Sequence, residues 1–69
     1  MPATRVIVDG PFENFDFETT YAEWTITVGR GDDGERPHAT ATSYAAAIET
    51  GRQLARRHRA ELIIEATPD

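Results

Sequence analysis

The chain of 69 residues contains no cysteine and no lysine, and it has one serine and two histidines. The absence of cysteine excludes disulfide bonds and thiolate metal sites, so no covalent or metal crosslink of that kind stabilises the fold. A chain of this length is close to the lower limit at which one hydrophobic core sustains a domain. We therefore expect a single domain that spans residues 1–69.

The sequence also lacks long apolar segments. No run approaches the roughly 20 apolar residues of a membrane-spanning helix. The first ten residues, MPATRVIVDG, have neither the basic region nor the apolar core of a signal peptide. Together these absences predict a soluble, cytoplasmic protein without a membrane partner.

Residues that commonly carry catalysis are scarce. Ser43 has no neighbouring base to activate it, and its position before an apolar-periodic segment is typical of a helix N-cap. His38 and His58 do not have the spacing of a helical zinc site. We therefore expect no enzymatic activity, no bound metal and no cofactor.

A short acidic, glycine-containing segment needs a separate assessment. Asp32, Asp33, Gly34 and Glu35 resemble part of a calcium-binding loop, but the twelve-residue pattern of such a loop is incomplete. The same residues with Gly31 are typical of a tight turn between strands. We interpret them as a turn.

Three segments have the pattern of β-strands. The first is TRVIVD at residues 4–9, which Gly10-Pro11 is expected to end. In YAEWTITVGR at 21–30, apolar and polar residues alternate, which predicts a half-buried strand. Pro37 limits the third, RPHATAT at 36–42, to a sheet edge or a strand beginning.

A helix and a last strand follow. After Ser43, apolar or small residues recur every three or four positions and predict a buried helical stripe; they are Ala47, Ile48, Gly51, Leu54, Ala55 and His58. We expect Gly51 to allow close approach of the helix to the sheet. ELIIE at 61–65 predicts a strand, and ATPD a frayed tail.

This order predicts an α+β fold, a two-layer sandwich. Its three- to four-stranded, mainly antiparallel sheet carries one helix across one face, in the order β-β-β-α-β. The helix allows the last strand to run parallel to a neighbouring strand.

Residues 11–20, PFENFDFETT, interleave three phenylalanines with three acids. In an extended segment, Phe15 and Phe17 would share one face and Asp16 and Glu18 the other. Two interpretations remain open. The segment either buries its phenylalanines as additional core, or it presents an acidic, aromatic contact surface.

The helix and its flanking strands resemble a family of short bacterial domains of unknown function. The resemblance rests on Trp24-Thr25-Ile26, on the helix segment AIETGRQLA at 47–55, and on Glu61-Leu62-Ile63-Ile64. It covers roughly residues 22–65 and implies the fold but no activity. Members of this family begin near the strand that contains Trp24. The resemblance therefore implies that the first strand and the acidic phenylalanine segment are an addition to the family's domain.

The negative charge is concentrated in the first half of the chain. The net charge is −5, and residues 1–35 contain eight acids and only two arginines. Such acidity disfavours direct nucleic-acid binding. It either keeps the protein soluble or serves a protein partner with a basic surface. The candidate partner-binding residues are Asp9, Glu13, Asp16, Glu18, Glu23, Asp32, Asp33 and Glu35.

By size and charge, the protein is similar to the small acidic anti-CRISPR inhibitors of phages. That similarity of type implies a non-enzymatic DNA mimic that blocks the basic nucleic-acid-binding site of a bacterial defence complex, with a CRISPR-Cas subunit as a possible partner. We expect a monomer or a weak dimer.

The alternative function uses the helix. Arg52, Arg56, Arg57 and Arg59 form a cluster that suits phosphates or an acidic partner. This interpretation is a small bacterial regulatory or nucleic-acid-binding module. The competing explanation is a solvated helix face whose arginine stems cover apolar edges.

Overall fold

The computed structural model describes residues 4–29 and 37–68. Its elements, in chain order, are β1 (Arg5–Asp16), β2 (Thr19–Gly29), β3 (Ala39–Ala41), α1 (Tyr44–His58) and β4 (Glu61–Ile64). The strands form one sheet in the order β3-β2-β1-β4, and α1 contacts all four of them. The predicted α+β architecture and element order are confirmed.

The sheet is mixed. β1 pairs antiparallel with β2 and parallel with β4, whereas β2 pairs antiparallel with β3. α1 therefore connects the two edge strands, which run in the same direction. The parallel pairing that we expected for the last strand is thus with β1.

The core lies between α1 and one face of the sheet. Alternate residues of β1 and β2 point into it, as the period of two requires. The buried apolar side chains are Val6, Val8, Trp24, Ile26, Ala47, Leu54 and Ala66. The opposite face of the sheet carries the half-buried Ile7 and Ile63, which are neighbours in the β1–β4 register.

The predicted helix is confirmed in its start and in most of its buried stripe. The Ser43 hydroxyl accepts a hydrogen bond from the Ala46 amide at 3.1 Å and caps the first turn. Ala47, Gly51 and Leu54 are buried. The stripe ends earlier than expected, because His58 in the last turn is exposed.

The prediction that Gly10-Pro11 ends the first strand is wrong. β1 continues to Asp16 because a shift in the β1–β2 register between Asp9 and Phe12 accommodates the two residues. Gly10 has φ +130°, and a Cβ there would stand 2.9 Å from Cδ1 of Trp24. Only glycine fits this backbone conformation and this close approach.

The last residues before the terminus are not a frayed tail, contrary to our expectation. Beyond β4 the chain continues along β1, where the Glu65 amide donates to the Val8 carbonyl and the Thr67 amide to the Gly10 carbonyl. Trp24 Nε1 donates to the Thr67 carbonyl at 3.0 Å, and Ala66 is buried. The segment 65–67 therefore covers one side of the core.

Candidate functional site

Beyond Gly10, the β1–β2 hairpin extends out of the sheet. β4 pairs only with residues 5–8 of β1, and β3 only with residues 24–26 of β2. Residues 12–23 therefore form a two-stranded ribbon whose outer edges have no strand partner within the described parts of the chain. We call residues 12–23 the arm, and it gives the molecule a long dimension of 45 Å against 24 and 16 Å.

The three phenylalanines of the arm are not core. The exposed fractions are 45% for Phe12, 72% for Phe15 and 90% for Phe17, and Tyr21 is 38% exposed. The interpretation that these phenylalanines enlarge the core is therefore wrong. The arm instead presents four large aromatic side chains to its surroundings.

A two-residue turn forms the tip of the arm. Asp16 pairs with Thr19, so that Phe17 and Glu18 occupy the turn. Phe17 has φ 52°, which is the left-handed region, and only this first turn residue has positive φ. Positive φ at this position of a two-residue hairpin turn usually goes with glycine. The expectation that Asp16 and Glu18 share one strand face is wrong, because the chain reverses between them.

The register assigns the arm's side chains to two faces. Thr20 and Ala22 precede the buried Trp24 at intervals of two, and they pair with Phe15 and Glu13 respectively. These four residues therefore lie on the face that carries α1 nearer the base of the molecule. Pro11, Glu13, Thr20, Tyr21 and Ala22 line an open recess of about 360 Å³ on the arm.

The opposite face of the arm has more polar character. Phe12 pairs with Glu23, and Asn14 pairs with Tyr21. Asn14 Nδ2 donates to Glu23 Oε1 at 2.8 Å, which fixes that carboxylate across the ribbon. Asp16, at the end of β1, shares this face.

The structure locates five of the eight predicted acidic residues, and it does not bring them together on one surface. Glu13, Asp16, Glu18 and Glu23 all lie on the arm, although on both of its faces and at its tip. Asp9 lies at the arm's root, where its Oδ1 accepts a hydrogen bond from the Gly10 amide at 2.9 Å. Asp32, Asp33 and Glu35, with the turn predicted around them, lie outside the described residues. Residues 9–25 contain five acids and no basic residue.

The arginines of α1 lie far from the tip of the arm. Arg52, Arg56 and Arg57 are exposed on the helix, and the exposed Arg59 ends it with φ 51°. The next residues begin β4, where Glu61 is the register partner of Arg5 at the start of β1. The arginine-rich end of α1 therefore lies beside the start of β1, and the tip lies at its other end.

The two histidines come together at this same end. The ring centroids of His38 and His58 are 6.2 Å apart, with their planes at 79°. Within residues 4–29 and 37–68, no three side chains of metal-binding type gather into one group. This proximity could not be predicted from the sequence, because the two residues meet only through the packing of α1 beside β3.

The fold and the arm define a small α+β protein with an extended acidic hairpin. The bacterial family DUF2188, described as an uncharacterized protein conserved in bacteria, matches residues 22–69. The chain belongs to this family. No curated protein and no solved structure shows significant similarity to it.

The family match begins at residue 22, close to Trp24, as the resemblance implied, so that β1 precedes it. β1 lies outside the match, yet it pairs with both β2 and β4, and its Val6 and Val8 are fully buried. β1 is therefore an integral part of the sheet and not an addition to it.

No helix within the described segments has the length and apolarity required to cross a membrane.

Proposed function

We propose that the protein is a non-enzymatic binding module whose arm occupies a basic, nucleic-acid-binding surface of another bacterial protein. One observation carries the proposal. Most residues of the arm are exposed, Phe15 and Phe17 strongly so, and the arm carries acids without a single base.

The arm has the chemistry of an interface. Exposed aromatic side chains supply apolar area that a partner's pocket can bury, and such residues dominate binding energy in many complexes. The surrounding carboxylates direct the arm towards positive surfaces and repel negative ones. The unpaired ribbon edges also offer backbone groups for the addition of a strand from a partner.

More specifically, the protein would act as a DNA mimic that competes with nucleic acid for its partner's binding site. The partner is then a subunit of a bacterial defence complex such as a CRISPR-Cas effector, and the protein acts as an inhibitor in the cytoplasm. The net charge of −5 and the small size support this form. Membership of a bacterial family equally suits a cellular protein that regulates a nucleic-acid-binding partner.

Charge reversal on the arm tests the inhibitor form. Bacteria with an active CRISPR-Cas system would express either the wild-type protein or the Asp16→Arg/Glu18→Arg variant during challenge with a targeted phage. We expect the wild-type protein to raise the efficiency of plating and the variant to lose that effect. Glu61→Arg/Glu65→Arg is the matched control, because it changes the net charge equally but away from the arm.

Two outcomes would count against the proposal. Equal protection of the phage by the arm variant would show that the arm is not the binding surface. No protection by the wild-type protein would reject the anti-CRISPR form. Binding of immobilised basic DNA-binding proteins, weakened by the arm variant and by salt, would then test the general form.

A second candidate function rests on the exposed arginines of α1, which lie inside the family-matched segment. In this alternative the helix contacts phosphates directly. A gel shift with short DNA and RNA at low salt tests it. Binding that is lost in Arg56→Ala/Arg57→Ala, and retained in Asp16→Arg/Glu18→Arg, would favour this function over the first.

A further inference from the structure

The acidic and basic ends of the molecule are separated along its longest dimension. β1 advances eleven residues from Arg5 to Asp16, which at about 3.3 Å per residue is roughly 36 Å. The Glu61 amide donates to the Thr4 carbonyl at 3.2 Å, so the chain leaving α1 lies beside the start of β1. Arg56 and Arg57 are therefore at the opposite end from the tip.

This separation prevents the tip and the arginines from neutralising each other within one molecule. At physiological ionic strength, charges are screened over about 8 Å, several times less than the distance between the two ends. The molecule therefore has one acidic, aromatic end and one arginine-rich end. Each end is complementary to the other end of a second copy.

We propose that the partner of the arm can be a second copy of this chain, in a reciprocal antiparallel dimer. In this arrangement, the arm of each protomer lies across the exposed face of α1 of the other. The contact face is the one that carries Glu13 and Phe15, with Phe17 and Glu18 at its tip. This inference goes beyond the proposed function and does not depend on it.

The dimensions of the two surfaces agree. α1 has 15 residues, which corresponds to about 22 Å of helix. The arm from Phe12 to Phe17 extends for roughly 17 Å. α1 already lies over its own sheet, so a partner's arm on its outer side would place the helix between two β-layers.

The side chains are also complementary in kind. All basic residues of the chain are arginines, and a guanidinium group both pairs with carboxylates and stacks on aromatic rings. Arg52, Arg56 and Arg57 of one protomer would meet the carboxylates and the phenylalanines of the other. In a two-fold symmetric dimer this contact forms twice, and no copy of either surface is left free. A single head-to-tail contact would instead leave one free surface at each end and allow further copies to add.

Sedimentation equilibrium over a range of protein concentrations tests the dimer. We expect a monomer–dimer equilibrium at low salt, with dissociation increased at least about tenfold in roughly 0.5 M NaCl. Arg56→Glu/Arg57→Glu and Glu13→Arg/Glu18→Arg should each weaken self-association by at least about tenfold. Glu65→Arg is the control, since it changes an exposed charge away from both surfaces.

The decisive measurement is a mixture of the two charge-reversed variants. Each variant contains one altered and one unaltered surface, so its own reciprocal dimer places like charges together in both contacts. In the mixed dimer, the unaltered arm meets the unaltered helix as in the wild type, and the two altered surfaces meet with opposite charges of reversed sign. Because both contacts then join opposite charges, the mixed dimer should be at least about tenfold tighter than the dimer of either variant alone.

Three results would overturn the inference. They are a monomer at every concentration at low salt, dimerisation that neither charge reversal alters, and a mixture no tighter than its separate components. Circular dichroism of each variant would confirm that the fold is retained, so that loss of association is assigned to the surface.

Discussion

Gly51 of α1 and Val8 of β1 approach so closely that no side chain fits between them. A Cβ at position 51 would stand 2.5 Å from Val8 Cγ2 and 3.3 Å from Leu62 Cδ1. Glycine inside a helix costs about 1 kcal/mol in propensity relative to alanine. The close packing of the helix on the central strand offsets that cost.

The first prediction follows from this contact. Gly51→Ala should lower the free energy of unfolding by about 1 kcal/mol, because overpacking of roughly 1–3 kcal/mol exceeds the gain in helix propensity. Urea unfolding would measure the change. Val8→Ala removes the colliding methyl groups, so a double-mutant cycle should show favourable coupling between the two substitutions. An increase in stability in Gly51→Ala alone would contradict the packing described.

The second prediction concerns the tip of the arm. Phe17 adopts positive φ without the contacts of a buried side chain, and such a conformation costs a non-glycine residue roughly 1–3 kcal/mol. Phe17→Gly should therefore raise the free energy of unfolding by about 0.5–1 kcal/mol, since part of the relief is offset by glycine entropy.

The matched control for Phe17→Gly is Phe15→Gly. It removes another exposed phenylalanine, but from extended backbone, and should lower stability by about 0.5–1 kcal/mol. Chemical denaturation of both variants gives the comparison. Equal changes in the two would show that backbone strain at position 17 is absent.

The third prediction concerns Trp24, which is 2% exposed and donates its indole hydrogen bond to the Thr67 carbonyl. Trp24→Phe should lower the free energy of unfolding by about 2 kcal/mol, through lost volume and an unpaired carbonyl. Far-ultraviolet circular dichroism would follow the unfolding. Tyr44→Phe keeps the aromatic ring that meets Trp24 edge-on and should change stability by less than about 0.5 kcal/mol.

The fourth prediction tests the helix cap. Ser43→Ala removes the acceptor of the Ala46 amide and should lower the free energy of unfolding by about 1 kcal/mol. Ser43→Asp retains an acceptor at this position and should stay within a few tenths of a kcal/mol of the wild type. Thermal unfolding of the two variants separates them. Equal destabilisation by both would mean that the cap contributes little.

The elements that could be predicted best from the sequence are those with one buried face. In β2, the buried Trp24 and Ile26 alternate with more polar residues, and in α1 the buried residues recur every three or four positions. Burial of one face imposes the period of each element on the sequence. The position of Ser43 marked the helix start in the same way. These signals were sufficient for the element order and the fold class.

The arm could not be predicted by the same reasoning. Neither of its faces is buried, so the alternation of Phe15 and Asp16 carries no information about a core. Gly10-Pro11 has the local pattern of a strand end, and only the register shift and the close approach to Trp24 allow the strand to continue. The candidate acids could be listed from the sequence, but their distribution over two faces and a tip depends on that register.

The central position of β1 has a consequence for how the protein can be divided. The family-matched segment 22–69 contains the strands on both sides of β1 but not β1 itself. Separated from residues 4–16, it lacks the strand that joins the two halves of its sheet. Cutting the chain between β1 and β2 would therefore give a short peptide and a larger fragment, neither of which contains the whole sheet.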